Sequence, residues 1–403
     1  MKATTITFDS PTGYKLTGIV ELPGSQKPHN FVIFAHCFTC SKDLTPVRII
    51  SRELTAQGFG VLRFDFTGLG ASHGDFADTT FSSNVDDLLA AVEYLEEHYQ
   101  APSLLIGHSL GGAAAIFASA KANSIKAVAT IGTPSDVKHV KHLFADKVEE
   151  IESKGNAKVQ LAGREFTISS DFVKSLNENH LTQVLQNLRK PVLIMHSPQD
   201  DYVSIKHAEK LYVNAWHPKS FISLDGAHHL LMNKKDSSYT GRVIAAWALR
   251  YLNIPEKQSL KSEHEIVASL KAGDDYTTSI KAGDHYITAD EPLSVGGNNF
   301  GPTPYELVSS GLAACTVMTL HMYARRKQWP LDHVECHVSY SKEHAADCEH
   351  CEEKSAKIDT FKRAIKITGD LDEKQIDRLL QIADKCPVHR TLHSETQVIT
   401  NRL

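Results

Sequence analysis

Short apolar runs separated by stretches of helical periodicity make up the first 250 or so residues of this chain. FVIFA (31–35), GVLRFDF (60–66), SLLIG (103–107), KAVATI (126–131), PVLIMH (191–196) and SFISL (220–224) read as short buried strands. TTITF and LTGIVEL, which precede them, predict an opening antiparallel pair. Between the runs lie helical patterns. The clearest places Val85, Leu88, Leu89, Val92 and Leu95 on one face behind Ser83–Asn84 as N-cap. This alternation predicts an α/β domain with a doubly wound, mostly parallel sheet and helices on both faces. Residues 135–189 break the rhythm with a polar, helix-prone insert that begins DVKHVKHLFADKVEEI. It is expected to form a small cap.

A different pattern follows YLNIPEKQSLKSEH. Pro255 and the charged run after it predict a linker at 255–264 between a first domain, 1–254, and a second, 265–403. The second opens on a short duplication, SLKAGDDYTT and SIKAGDHYIT, each copy joining a strand to a Gly-Asp turn. Residues 265–289 are therefore expected as a β-meander. A long helix from Pro304 comes next, then the strands HVECHVSY and TFKRAIKITG, and the helix EKQIDRLLQIADKC. That order is α+β.

Composition narrows the function classes. With 41% apolar and 23% charged residues over 403 positions, the chain is a soluble globular protein of two or three domains. A net charge of −5 offers no basic surface to nucleic acid. The N-terminus lacks the apolar core of a secretory signal, and no apolar run approaches the ~18 residues of a membrane span. Seven cysteines, an odd number with two CxxC pairs, favour a reducing compartment, so a cytoplasmic location is expected.

The strongest chemical motif is LLIGHSLGGAAAI. Gly107-His108-Ser109-Leu110-Gly111 stands directly after a strand and directly before an Ala-rich helix, the context in which G-x-S-x-G exposes a nucleophilic serine. The helix N-terminus also offers free N–H groups to a developing oxyanion. A serine needs a base and an acid to orient it. The loop after PVLIMH supplies Asp200 and Asp201, and the loop after SFISL supplies His228 and His229. Spacing alone leaves two candidates for each role.

Residues 1 to 252 resemble the α/β-hydrolase superfamily. HSPQDDYV matches its acid loop with Asp200 in the acid position, and GAHHLL matches its histidine loop with His229 as the base. AHCFTC stands where the family carries H-G-x-x, so the resemblance implies a first oxyanion N–H from Cys37 or Phe38, with Phe38 preferred, and a second from Leu110. Ser109 in the elbow argues against a dehalogenase-like aspartate and a dienelactone-hydrolase-like cysteine. Hydrolysis of small esters or thioesters through an acyl-serine is the implied activity. Leu143, Phe144, Phe166 and Phe172 of the insert either line an acyl pocket or pack the cap internally. Cys37 and Cys40 flank Phe38; they are either reduced packing residues or a pair whose closure would reshape the loop and lower activity.

In the second domain, Thr303 and Glu306 bracket Pro304 as a capping box for the long helix. Cys315 falls on an apolar stripe with Leu312, Met318 and Met322, and by periodicity alone reads as a packed core thiol. Cys386 precedes Pro387, where one helix must stop. GPTPYELVSSGLAACT together with ADKCPVHRTL resembles the OsmC/Ohr family over about 265 to 403. The resemblance implies a homodimer through this domain and a thiol-dependent organic hydroperoxide reductase. In it Cys315 attacks the peroxide, Cys386 resolves the sulfenic acid, and a small dithiol is the reductant. The family's early-strand arginine has no counterpart between Arg250 and Arg325, and its glutamate falls at Tyr305, one residue before Glu306. The thiolate support expected is Arg390, a histidine such as His389 or a helix N-terminus of the partner subunit, with Glu306 as the carboxylate candidate. Fusion of the two folds in this order resembles the bifunctional α/β-hydrolase/OsmC proteins.

His344, Cys348, His350 and Cys351 weigh a zinc site or a cycling dithiol against an exposed polar insert; no second CxxC within this domain completes four ligands, so the insert is favoured and no metal or other cofactor is expected. Two other functions remain open: an esterase whose second domain serves only dimerisation or redox sensing, and a catalytically dead scaffold. The ordered Ser109, Asp200 and His229 argue against the scaffold.

Overall fold

The structure, a computed structural model, describes residues 2–24, 27–161, 163–254, 260–272, 275–344 and 357–403. Two compact units divide the chain, Met1–Ser259 and Leu260–Leu403. Residues 255–259 of the expected linker lie outside the described residues.

The first unit opens with β1 (Lys2–Asp9) and β2 (Lys15–Leu22), paired antiparallel. Then come β3 (Asn30–Ala35), α1 (Thr45–Ala56), β4 (Phe59–Phe64), α2 (Phe81–His98), β5 (Pro102–His108), α3 (Leu110–Lys121) and β6 (Ala127–Ile131). The cap follows: a kinked 3-10 stretch at Val137–Lys147, α4 (Val148–Lys154), β7 (Asn156–Leu161), β8 (Arg164–Ser169), α5 (Ser170–Glu178) and α6 (Leu181–Asn187). The chain returns through β9 (Val192–His196), α7 (Lys206–Asn214), β10 (Lys219–Ser223) and α8 (Lys234–Ala248).

Eight strands form one sheet in the order β1-β2-β4-β3-β5-β6-β9-β10, parallel from β4 onward. Every residue of β3, β4, β5, β6 and β9 is buried, which is why these strands read as unbroken apolar runs. Alternate residues feed two cores. Ile33, Leu105 and Val128 join Leu88 of α2 and Ile116 of α3, whereas Phe34, Ile106 and Ala129 join Ile50 of α1 and Ile244 of α8. Each large side chain so buried contributes roughly 1.5–3 kcal/mol.

Two local expectations are corrected. Helix α2 starts two residues before Ser83, with Thr80 as its N-cap; Thr80 Oγ1 accepts from the Ser83 N–H at 3.0 Å and Ser83 Oγ accepts from the Thr80 N–H at 2.9 Å. Ser83 is thus the third helical residue of a capping box, and Asn84 faces inward. The cap, expected to be helix-prone, contains the β7–β8 hairpin, whose alternating Ala157, Val159 and Leu161 are buried.

In the second unit, β11 (Ile266–Ser269), β12 (Thr278–Ala282) and β13 (His285–Ala289) form an antiparallel meander. Gly283, at φ 57°, makes the tight turn of the second repeat copy, while Gly273 and Asp274 of the first lie outside the described residues. Then follow α9 (Pro304–Lys327), the antiparallel β14 (Leu331–His344) and β15 (Lys357–Gly369), α10 (Glu373–Ala383) and α11 (Pro387–His393). The inward stripe of α9 is Leu312, Thr316, Leu320 and Ala324. Met318 and Met322, expected on that stripe beside Cys315, are instead 64% and 70% exposed. The helix is apolar on nearly every side, so periodicity could not select its buried face. By length and composition α9 is also long and apolar enough to cross a membrane, contrary to the expectation of no such run.

Candidate functional site

Strand β5 ends at His108 and α3 begins at Leu110, so Ser109 alone makes the turn. Its backbone sits at φ 55° and ψ −125°, a conformation that costs a non-glycine residue roughly 1–3 kcal/mol. The Ser109 N–H donates to the Ile131 carbonyl at 2.8 Å, and the Ser109 carbonyl accepts from the Gly112 N–H at 3.0 Å. A Cβ on Gly111 would fall on the carbonyl oxygens of His36 and Ala35, so glycine is required for α3 to approach the end of β3.

The loops after β9 and β10 bring Asp200 and His229 together. Asp200 Oδ2 accepts from His229 Nδ1 at 2.7 Å, and Oδ1 accepts from the Tyr202 and Val203 N–H groups at 2.9 and 2.8 Å. Burial pushes the Asp200 carboxyl up, but the His229 ring and these N–H groups outweigh it and hold it below the usual carboxylate range. The alternatives separate cleanly: Asp200 and His229 are buried, Asp201 and His228 exposed. An imidazole held this way keeps its proton on Nδ1 and leaves Nε2 free to take one.

Two residues beside the pair were not singled out from sequence. His108 donates from Nε2 to the His229 carbonyl at 2.8 Å, tethering the histidine loop to the residue before Ser109. Burial drives His108 down to about 3, so its ring is neutral and a fixed donor. Gly132, at φ 55°, ends β6; a Cβ there would stand 3.2 Å from His229 Nδ1 and 3.3 Å from Asp200 Oδ2. Its signal was the Gly directly after a strand next to the elbow.

The loop after β3 faces the same turn. Cys37 and Cys40 are joined by a disulfide, so the reading of two reduced packing cysteines does not hold. The Cys40 N–H also donates to the Cys37 carbonyl at 3.1 Å, and Thr39 is left-handed at φ 63°. Arg164 of the cap donates to the Thr39 carbonyl. Behind the loop, buried Asp65 accepts from the Lys42 N–H at 2.6 Å and Lys42 Nζ at 2.7 Å. Phe38, the expected oxyanion donor, packs against Phe76 and Phe172 with ring centroids 5.5 Å apart in each case, and Phe76 meets Phe166 at 5.4 Å. Of the four expected cap residues, Phe172 packs against Phe38, Phe166 reaches it only through Phe76, Phe144 is buried in the core, and Leu143 is exposed. Leu110 heads α3, where its N–H has no intrahelical acceptor.

The thiols of the second unit have a separate setting. Cys386 caps α11: its buried Sγ accepts from the His389 N–H at 3.3 Å and lies 3.7 Å from Thr316 Oγ1. Thr316 follows Cys315, which is half-buried. The guanidinium here belongs to Arg363 of β15, which donates to Thr316 Oγ1 at 2.9 Å, the Ala383 carbonyl at 3.1 Å and Asp384 Oδ1 at 2.6 Å. Arg390, the expected support, is exposed in the last turn of α11. Glu306 is spent on the helix cap, where Oε2 accepts from the Thr303 N–H at 2.7 Å. Cys336 shares the β14–β15 face that carries Arg363; burial pushes its thiol up, partly offset by that guanidinium. Sequence reasoning sought an arginine upstream of Cys315 and so passed over Arg363. Cys348, His350 and Cys351 lie outside the described residues, and among those described no group of three or more His, Cys, Asp or Glu is placed to hold a metal.

The crystal structure of the esterase domain of a Rhodothermus marinus protein is 44% identical, covering 62% of this chain and 99% of that one at a TM-score of 0.53. The chain belongs to the α/β-hydrolase family. Residues 26–183 match the family described as serine aminopeptidase S33, and 296–401 match the OsmC-like proteins, so this α/β-hydrolase carries a C-terminal OsmC-like domain. Human palmitoyl-protein thioesterase ABHD10, mitochondrial, is 24% identical over 178 residues, 43% of this chain and 57% of that protein. The chain thus spans little more than half the length of that curated relative. Mouse alpha/beta hydrolase domain-containing protein 10, at 20% identity, 61% and 99% coverage and a TM-score of 0.52, shares the fold.

Proposed function

We propose that the first unit is a serine carboxylesterase acting on small esters or thioesters. The observation that carries this reading is the Asp200–His229 pair, tied through His108 to the strained Ser109 turn. In the mechanism, His229 Nε2 takes the Ser109 Oγ proton as Oγ attacks the acyl carbonyl. Asp200 holds the Nδ1 proton and stabilises the resulting imidazolium. The N–H groups of Phe38 and Leu110 receive the oxyanion, His229 returns the proton to the leaving alcohol or thiol, and water repeats the sequence to free the acid. The esterase and thioesterase names of the similar proteins support both leaving groups. Short p-nitrophenyl esters should be hydrolysed, and Ser109→Ala should lose about three or more powers of ten in turnover. Wild-type turnover in that variant, with loss in Ser135→Ala, would remove the assignment.

The OsmC-like unit we assign as a thiol-dependent reductase of organic hydroperoxides. The Cys315 thiolate takes the terminal peroxide oxygen, giving a sulfenic acid and an alcohol. Cys386 condenses with it to a disulfide and releases water, and a small dithiol restores both thiols. A second copy of the chain is the proposed partner of this unit, against the exposed face of α9. Full burial of Cys386 favours the alternative, a dimerisation or redox-sensing module without turnover. A cytoplasmic setting completes the proposal, whereas the ABHD10 relatives are mitochondrial by name.

A further inference from the structure

The acid loop holds a tyrosine over the base. Asp200 Oδ1 accepts from the N–H groups of Tyr202 and Val203 at 2.9 and 2.8 Å, which fixes the backbone of both residues. Val203 turns into the core at 4% exposed, and Tyr202 turns outward at 47% exposed. The cap adds a second anchor, because His139 Nε2 donates to the Tyr202 carbonyl at 3.0 Å. A ring so tethered, and left half in solvent, does not serve to fill the core. What it covers is His229.

The two ring centroids are 5.3 Å apart and the planes are 28° from parallel, a stacked pair in which the Tyr202 π face meets the imidazole. The other neighbours of His229 have different parts. Asp200 Oδ2 accepts from Nδ1 at 2.7 Å, and the His108 ring, kept neutral by burial, stands 5.0 Å away. His228 meets Tyr202 edge-on, at 5.7 Å and 74°. In the acyl-serine reading the His229 ring is neutral before Oγ attacks and an imidazolium as each tetrahedral intermediate forms. An aromatic face attracts a cation within about 6 Å of its centroid, through the quadrupole of the ring. The contact therefore strengthens as charge develops on His229, and an interaction stronger in the transition state than in the ground state raises kcat.

We infer that Tyr202 is a positioning residue of the esterase, whose ring face orients the His229 imidazole and stabilises the imidazolium as the acyl-serine forms and breaks down. The inference rests on the acyl-serine reading of Ser109. The ring makes the contact, so the charge distribution of its face, and not its hydroxyl or its bulk, sets the effect.

The test measures hydrolysis of p-nitrophenyl butanoate by the full-length protein as wild type, Tyr202→Phe, Tyr202→Leu and Tyr202→trifluorophenylalanine. Tyr202→Phe keeps the ring face and should retain kcat within about twofold. Tyr202→Leu covers His229 without a quadrupole, and the fluorinated ring keeps the shape of Phe with electron density drawn off its face. Both should lose about fivefold in kcat, with KM within about twofold of wild type. Equal kcat for the fluorinated and plain Phe variants would overturn the inference, as would a loss carried by KM or wild-type kcat in Tyr202→Leu. Should Tyr202→Leu melt lower than wild type, the two Phe-shaped variants still decide the matter. Ser109-dependent hydrolysis that ignores ring fluorination removes this inference alone, whereas no Ser109-dependent hydrolysis in wild type removes the acyl-serine reading and the inference with it.

Discussion

The two units bury their apolar residues to very different degrees. In the hydrolase unit both faces of the sheet are closed, and Phe34, Phe64, Leu88 and Leu105 are at most 1% exposed. In the OsmC-like unit the buried cluster is Leu320, Ala324, Leu379, Ile382 and Ala383, while Val308, Met318 and Met322 on α9 remain 40%, 64% and 70% exposed. A unit that closes its own core can also hold its own candidate site: Ser109, Asp200 and His229 all follow strands of one sheet. A unit whose longest helix is half uncovered leaves apolar surface that another copy could bury, although Cys386 is already enclosed within one copy. A second copy is the simplest cover for that surface.

The largest expected effect bears on that uncovered helix. Met318→Glu/Met322→Glu should convert the full-length protein from dimer to monomer in sedimentation at micromolar concentration, with ester hydrolysis kept within about twofold. A double variant that still sediments as a dimer would place the interface elsewhere and weaken the contrast between the units.

The thiol chemistry comes next. One equivalent of cumene hydroperoxide, followed by disulfide mapping, should give a Cys315–Cys386 linkage that is lost in either Cys→Ser variant. Both thiols remaining free, with no peroxide consumed, would leave the unit as a dimerisation module.

Much of this contrast was legible in the sequence. The buried strands announced themselves because burial on both faces removes the polar alternation, and G-x-S-x-G acquired its meaning from the strand and helix around it. Asp200 and His229 needed more than spacing, since Asp201 and His228 are adjacent; their buried positions separate them. The α9 capping box was readable because it is local. Its buried face was not, because apolar residues surround the helix. Long-range polar links such as Arg363 to Thr316 and His108 to the His229 carbonyl leave no periodic trace. The β7–β8 hairpin was masked by the charged residues on its exposed side.

Smaller effects probe the hydrolase unit itself. Burial holds His108 at about 3 against an ordinary 6.5, and lowers His36 and His196 as well. The unfolded chain therefore takes up protons that the fold refuses. The stabilisation is complete above pH 6.5 and is lost progressively as pH falls toward 3. The first unit should melt about 5 °C lower at pH 5 than at pH 7.5, and His108→Gln should flatten that slope. An identical slope in the variant would remove His108 as a contributor.

The smallest effect concerns the Cys37–Cys40 loop. The bond closes a turn with a left-handed Thr39 while the Asp200–His229 pair is in place, so opening it, and not closing it, is expected to loosen the Phe38 N–H. Dithiothreitol should lower ester hydrolysis by about twofold to fivefold, well short of the 10²–10³ that loss of an oxyanion donor costs. An equal response in Cys37→Ser/Cys40→Ser would assign the effect elsewhere.

The central claim is that Ser109 is the nucleophile of the hydrolase unit. Reacting the full-length protein with a fluorophosphonate and mapping the adduct by mass spectrometry tests it most directly. The account predicts a single adduct on the peptide that contains Ser109, absent from Ser109→Ala. An adduct on Ser135 or another serine that persists in Ser109→Ala, or no adduct while ester hydrolysis continues, would contradict it.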